Sequence, residues 1–417
     1  MTDAASADRQ TPLSTLVTAG AGQDEAEKIT DTIFMVKDIS NAYLVTTSDG
    51  DLMVNTGFIG NDARNKALFD PVRTGPLRRI VLTQAHADHF GALPGQRETD
   101  TQVIAGQGFT ETDAYFQRLA PFLGRRSGKL WGSITRRNGP PPVPPTIVPD
   151  IEVADRLAFT QGATRFEVIK MPGGETLCTA VLWLPDEKTL FTGNLFGPVW
   201  RAMPNLTTTR GDKPRLVGPY LKSIEIVRAL APELVVTGHG EPVRGAEHIR
   251  ADLDTMHAAV SYIERETIAG MNAGKDVHTL MREIVLPADL RIGEFHGHTR
   301  WTVRAVWEEN ANWFKYEDGT GELLGSSPRS VDADLVELAG GAERLAARAQ
   351  AKLAAGDALA AVHLTHIALS AEPDNRAALA ASKAAHEALL AAGGGTNLSE
   401  TMWLKSEIAA AGKALDG

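Results

Sequence analysis

A single cysteine, Cys178, stands in the whole chain, which excludes any intrachain disulfide and fits a reducing, cytoplasmic setting. No stretch approaches the roughly 18 consecutive apolar residues of a membrane span, so none is expected. Residues 1–23 are polar and lack the basic start and apolar centre of a secretory signal. Basic residues are the minority, 42 Lys and Arg against 52 Asp and Glu, for a net charge of −10. That balance argues against nucleic acid as the main partner.

What is present is enough for large cores. The 417 residues, 43% of them hydrophobic, predict two domains or three. The most informative segment is Thr83-Gln84-Ala85-His86-Ala87-Asp88-His89, which follows an apolar, β-branched run at 79–82. Two histidines and an aspartate thus leave the end of a buried strand, where α/β proteins place their chemistry. Neutral imidazoles and a carboxylate are ligands that zinc takes. A third histidine, His239, sits between Gly238 and Gly240 after the apolar strand 234–236. Between the two lie Pro172-Gly173-Gly174-Glu175 and Gly193-Asn194, each at the end of a β-like run.

This order of motifs resembles the metallo-β-lactamase superfamily: a His-x-His-x-Asp-His stretch, a ligand after Pro-Gly, a bridging position after Gly, then Gly-His-Gly. A glutamate at 175 is the habit of the superfamily's alkylsulfatase branch. Asn205, Arg210 and Arg215 look like that branch's asparagine and paired arginines. Tyr262-Ile263, Met271–Gly274, Leu286–Leu290, Trp313-Phe314 and Val336–Gly341 look like the alkylsulfatase dimerisation domain. The likeness runs from about residue 29 to 404, with no counterpart of the sterol-carrier-like third domain of longer alkylsulfatases. It implies an α/β fold, an αββα metallo-β-lactamase sandwich, followed by an all-α dimerisation domain. The implied domains are a flexible segment at 1–24, a catalytic domain at 25–247 and a helical domain at 248–417.

Carried over from the family, one zinc site becomes Gln84, His86 and Glu175, and the other Asp88, His89 and His239, with Asn194 as the bridge. Two of these depart from the pattern. Gln84 replaces a histidine with a weaker neutral donor, and Asn194 removes a negative charge from between two dications. Both weaken the first site, so one or two zinc ions are expected, with the second site intact. The resemblance implies hydrolysis of an anionic or amphiphilic organic sulfate ester by zinc-activated water, with Asp88 also a catalytic residue and Asn205, Arg210 and Arg215 binding substrate. A hydrolase of a carboxylic ester, lactone, thioester or amide is the alternative, and a non-catalytic scaffold a further one.

Beyond 247 the pattern turns helical, over 251–271, 277–284 and 299–314, with 319–328 as a connection. Alanine-rich runs at 342–354 and 359–370, broken at Gly356-Asp357, and a third from Asn375 to about 390 resemble a tetratricopeptide-type hairpin. A homodimer built on these helices is expected. Arg125, Arg126, Lys129, Arg136 and Arg137, followed by prolines between 140 and 145, read as a solvated basic loop on a stiff tether, with a substrate lid as the sharper reading. The paired arginines could instead serve a surface salt bridge with Asp212 or Glu225. His296 and His298 lie outside any strand-end context and read as core or cap residues.

Overall fold

The computed structural model describes residues 11–134, 143–317 and 319–417. They divide into two compact units, one reaching to Ser127 and resuming at Ser133–Glu309, the other formed by Gly128–Gly132 and Asn310–Gly417.

Two sheets make the first unit. The described strands of the first follow chain order: β1 (Glu27–Lys28), β2 (Ile33–Val36), β3 (Ala42–Thr47), β4 (Gly50–Val54), β5 (Leu77–Leu82), β6 (Gln102–Gly106) and β7 (Ile151–Val153). The pairs from β1 to β4 are antiparallel, as their short connections require, and those from β4 to β7 are parallel. The second holds β8 (Arg156–Gln161), β9 (Thr164–Lys170), β10 (Ala180–Leu184), β11 (Thr189–Gly193), β12 (Leu234–Thr237) and β13 (Val243–Arg244), in reverse spatial order. Only β11 and β12 pair in parallel there, and the helix Val217–Leu230 supplies the crossover.

Strand periodicity builds the layers. Ile33, Met35, Val45, Leu52, Val54, Val81 and Ile104 face Val168, Leu182, Phe191 and Val236 between the sheets. Their neighbours Leu44, Met53, Ile80, Leu82 and Val103 face outward against Leu68, Phe69, Phe90 and Phe109 of the helical side. On the far face, Val181, Trp183, Leu190 and Val235 are covered by Tyr220 and Ile224 of Val217–Leu230. Ile249, Leu253, Met256 and Val260 of Ala246–Asn272, and Val303 and Val306 of Thr299–Ala311, complete that cover. The expected αββα sandwich is present. Its compact unit runs on to Glu309 instead of ending near 247, because these helices bury their apolar stripes on the second sheet.

The expectation of a flexible segment through residue 24 fails from Thr11 onward. Thr11 caps the helix Pro12–Thr18, accepting from the Ser14 amide, and Leu13 and Val17 are buried. The Gln23 side chain then clamps β2, donating to the Met35 carbonyl at 3.1 Å and accepting from the Lys37 amide at 2.7 Å. The basic segment also differs from a loop. Arg125, Arg126 and Lys129 lie on the helix Ala120–Trp131, where Leu123 and Leu130 are buried and Arg126 stacks over Phe122 one turn back. Arg136, Arg137 and Pro140–Pro142 of that reading lie outside the described residues.

In the second unit Ala342–Ala354 and Ala358–Ala371 form the expected hairpin, turned by Gly356 at φ +82° and capped by Asp357, which accepts from Ala360. Arg376–Gly393 follows, capped by Asn375, and Leu398–Asp416 closes the chain. Alanines at 349, 361, 381 and 385 let these helices approach closely. The expected connection at 319–328 holds a short helix, Gly319–Leu323. No described helix is long and apolar enough to cross a membrane.

Candidate metal centre

Strand ends from both sheets converge on one point. From the first sheet, β5 runs out through Thr83 into Gln84 and His86, and a short helix, Ala87–Phe90, presents Asp88 and His89. Asn55, at the end of β4, fixes this exit: its Oδ1 accepts from the Thr83 amide at 3.0 Å and the Thr83 hydroxyl at 3.1 Å. From the second sheet come Glu175 after β9, Asn194 after β11 and His239 after β12. A register shift between Phe191 and Gly193 turns the chain inward, and Gly193 takes φ +52° where a Cβ would lie 2.2 Å from the Thr83 hydroxyl. Gly238 is as confined: a Cβ there would lie 2.1 Å from Asn194 Oδ1.

Asp88, His89 and His239 form a group whose ligand atoms all lie within 4.8 Å of one another. Asp88 Oδ2 is 3.6 Å from His89 Nε2 and 3.8 Å from His239 Nε2. Burial pushes the His89 imidazole down to about 4, against the pull of Asp88, and lowers His239 as well. Both rings are therefore neutral at pH 7, the state in which imidazole binds metal. Burial opposes charge on Asp88, yet the histidines around it outweigh burial and keep its carboxyl below the ordinary range. The second layer orients His89. Ser40 Oγ donates to the Gly238 carbonyl at 3.1 Å, and both Ser40 Oγ and Asn55 Nδ2 lie 3.0 Å from His89 Nδ1, so the ring is held at this nitrogen. His89 Nε2, on the side of Asp88, is buried with no hydrogen-bond partner. A buried polar atom left unpaired costs about 1–3 kcal/mol. The three residues fit a divalent cation.

Gln84, His86, Glu175 and Asn194 lie beside this group but are already engaged with one another. Gln84 Nε2 is 2.7 Å from His86 Nδ1 and 3.4 Å from Glu175 Oε2. Asn194 Nδ2 donates to Glu175 Oε2 at 3.1 Å and lies 3.1 Å from His239 Nε2. Arg215, buried, spans Glu175 Oε1 at 3.6 Å, Asp212 Oδ2 at 3.3 Å and the Asn205 carbonyl at 2.7 Å. Arg210 is a quarter exposed; its Nη2 lies 3.0 Å from His86 Nε2 and 3.5 Å from Asp212 Oδ2. Burial opposes the charges on Glu175 and Asp212, but His86 and the arginines hold both carboxyls well below their ordinary values. Burial works against the charged form of His86 too, and Asp212 and Glu175 outweigh it and raise its pKa.

All seven expected ligands and the three expected substrate contacts thus reach one region, with different tasks. The alternative of a surface ion pair is corrected: Arg210 and Arg215 pair with Asp212 in the interior, while Glu225 pairs with Lys222. Cys178 is buried on the turn before β10, where burial raises its thiol. Sequence reasoning missed Ser40, Asn55 and His296. His296 Nε2 lies 2.9 Å from Asn205 Nδ2, and burial pushes its imidazole down to about 4. It arrives from far along the chain because the Met203 amide donates to the Gly293 carbonyl at 2.7 Å. Gly297 then packs where a Cβ would meet the Pro204 carbonyl at 2.2 Å. No spacing in the sequence announces that contact. A cleft opens on this flank, walled by Tyr115, Phe116, Leu177, Leu216 and Pro219 and floored by Glu175, Asp212 and Arg215.

The family model of the metallo-beta-lactamase superfamily matches residues 35–239, and that of alkyl sulfatase dimerisation matches residues 278–402. A linear primary-alkylsulfatase of a Pseudomonas species is 25% identical over 366 residues, 80% of this chain and 67% of that protein. The alkyl/aryl-sulfatase BDS1 of Saccharomyces cerevisiae is 23% identical over 385 residues, 84% of this chain and 58% of that protein. Among solved structures, the stereoselective inverting sec-alkylsulfatase Pisa1 from Pseudomonas superposes with a TM-score of 0.82 at 22% identity, over 93% of this chain and 65% of that one. The chain therefore spans about two thirds or less of the length of these relatives.

Proposed function

Since the chain belongs to the metallo-beta-lactamase superfamily, in its alkylsulfatase-like branch, we propose that it is a metal-dependent hydrolase of an alkyl or aryl sulfate ester. The observation that carries this reading is the Asp88, His89 and His239 group, linked through Asn194 to Glu175, which also lines an apolar cleft, together with the partly exposed Arg210 held at His86. Two imidazoles and a carboxylate suit zinc, which when bound supplies Lewis acidity and brings the pKa of water towards neutrality.

The chain's own residues supply the rest. His89 and His239 stay neutral and present lone pairs, and Asp88 stays ionised as ligand and proton acceptor. Arg210 offers a planar, permanently charged fork that matches two oxygens of a sulfate group. Arg215 is buried and its terminal nitrogens are engaged by Asp212, Glu175 and the Asn205 carbonyl, so it holds the pocket's shape instead of binding substrate directly. Tyr115, Phe116, Leu177 and Leu216 receive the carbon part of the ester. The relatives' printed activities, alkylsulfatase and alkyl/aryl-sulfatase, support the same substrate class. Exposed Tyr316, Leu324 and Leu338 in the helical unit, within the dimerisation match, support a homodimer. The single cysteine suits a reducing compartment.

Gln84 and Asn194 alter the electrophilic side of the site, which favours a neutral ester, lactone or amide as the second reading. A panel of alkyl and aryl sulfates set against matched carboxylic esters, read by sulfate release, separates the two. Sulfate release that disappears in His239→Ala and Asp88→Ala is expected. Cleavage of neutral esters with no sulfate release refutes the sulfatase reading and leaves the metal group standing.

A further inference from the structure

The half of the site beside Asp88, His89 and His239 does not fit a second metal ion. We propose that this chain holds one metal ion, and that the Arg210 guanidinium, anchored on His86 and Asp212, provides the fixed positive charge in place of a second. This rests on the metal reading above but not on the identity of the substrate.

Three observations carry it. The first is orientation. An ion between His86 and Glu175 needs lone pairs from both. His86 Nδ1 and Glu175 Oε2 instead face the amide nitrogen of Gln84 at 2.7 and 3.4 Å, and Glu175 Oε2 faces that of Asn194 at 3.1 Å. Turning the Gln84 amide over would set its oxygen against the Glu175 carboxylate, acceptor against acceptor. The second is convergence. Among the described residues His86 and Glu175 join no three-membered group of ligand atoms. Asp212 approaches His86 from the other ring nitrogen, Nε2, at 3.7 Å, while Glu175 lies 3.6 Å from Nδ1. The third is charge. Glu175 and Asp212 carry two negative charges, and Arg210 and Arg215 return two positive ones within 3.3–3.6 Å. A buried pocket already balanced gives a dication no attraction to set against its dehydration. Among the described residues the Asp88 carboxylate faces His89 and His239 and pairs with no arginine or lysine, so it has no fixed cation beside it.

Arg210 is the member of the network with a face to spare. Arg215 is buried, whereas the Arg210 side chain is 25% exposed and reaches His86 with one terminal nitrogen. It therefore stands at His86, in the half of the site left without an ion, with donors left for an anion.

The test counts metal and needs no turnover. Full-length protein is loaded with excess zinc, desalted, and its zinc per chain measured by mass spectrometry. Cobalt loading gives a second readout, because two adjacent Co²⁺ ions couple magnetically and one does not. One ion per chain and an uncoupled cobalt signal are expected. Arg210→Ala should retain one ion while binding inorganic sulfate at least tenfold more weakly by calorimetry. The triple variant Gln84→His, Asn194→Asp, Arg210→Ala should rise towards two ions. Two tightly held ions in the unaltered chain overturn the proposal, as does an Arg210→Ala protein that binds sulfate as well as the unaltered one. A chain that takes up no zinc refutes the metal group itself, a result distinct from finding two.

Discussion

Replacing Ser40 with alanine should weaken metal binding without touching a ligand. Ser40 is fully buried and its hydroxyl is committed to the Gly238 carbonyl at 3.1 Å, so its oxygen faces His89 Nδ1 at 3.0 Å and can accept the ring proton. In Ser40→Ala the remaining neighbour of that nitrogen is Asn55 Nδ2, also 3.0 Å away. Asn55 cannot turn over, because its Oδ1 is held by both the amide and the hydroxyl of Thr83. It can only donate. A donor at Nδ1 favours the tautomer with the proton on Nε2, the atom that faces Asp88 and must carry the lone pair for a metal. Loss of such an orienting partner costs about 10- to 100-fold in metal affinity, or roughly 1.4–2.7 kcal/mol. The lost volume is one oxygen, and the Gly238 carbonyl keeps its bond from the Asn41 amide at 2.7 Å, so the metal-free fold should melt almost unchanged. Zinc competition against a chromophoric chelator, paired with melting of the metal-free protein, reads both quantities. Asn55→Ala, which leaves Ser40 as sole partner, should bind zinc more tightly than Ser40→Ala. Zinc affinity in Ser40→Ala within twofold of the unaltered protein would refute the tautomer argument.

Arg215→Met should leave Glu175 without a guanidinium partner and Asp212 with Arg210 alone, at a cost of about 3–5 kcal/mol measured by urea unfolding; a loss below 1 kcal/mol contradicts the buried network. Metal-free protein should lose stability on acidification from pH 6.5 towards 4. In that window the unfolded chain binds protons that His89 and His296, both near 4 when folded, refuse, which for His89 alone amounts to roughly 3 kcal/mol. His86 has the opposite sign: its raised pKa adds stability that is nearly full below pH 6.5 and fades only as pH rises through the raised value, so it changes little across this window. A melting temperature flat across the window would contradict the assignment. In sedimentation the protein should be a dimer at micromolar concentration, and Leu338→Glu with Leu324→Glu, both well exposed within one chain, should give a folded monomer; a monomeric unaltered protein refutes the dimer.

Where one chain segment determines its own geometry, the sequence was readable. Strands β2 to β5 follow from their short apolar runs, and the strand-end positions of His86 to His89 and His239 follow from the apolar runs before them. The helix Ala120–Trp131 was obscured by its glycines and by the prolines beyond it, although Leu123 and Leu130 carry the apolar stripe. The domain edge was obscured because Ala246–Asn272 looks the same from sequence whether its stripe faces a sheet or other helices. Ser40, Asn55 and His296 could not be read at all. Their roles depend on separations of 49, 34 and 91 residues to the groups they touch, and on hydroxyl and amide orientations that only the folded neighbours fix.

Gln84 and Asn194 read from sequence as two separate weakenings of one metal site, but their contacts make them a single coupled change. An acid at 194 would sit about 3 Å from the Glu175 carboxylate, and without an ion between them the two charges would repel inside a buried pocket. An amide there removes the repulsion and adds a donor to Glu175. Once Glu175 is held by amides and by Arg215, a histidine at 84 would bring a ring nitrogen with no cation to bind, whereas the glutamine amide donates to Glu175 and lies 2.7 Å from His86 Nδ1. Each departure is favourable where the other is present and costly where it is absent. The same logic explains why Asp88, His89 and His239 keep the superfamily pattern. Among the described residues Asp88 pairs with no arginine or lysine that could take over for an ion, so its charge and the bare His89 Nε2 are best satisfied by a cation. Departure is confined to the half of the site where protein cations already balance the carboxylates.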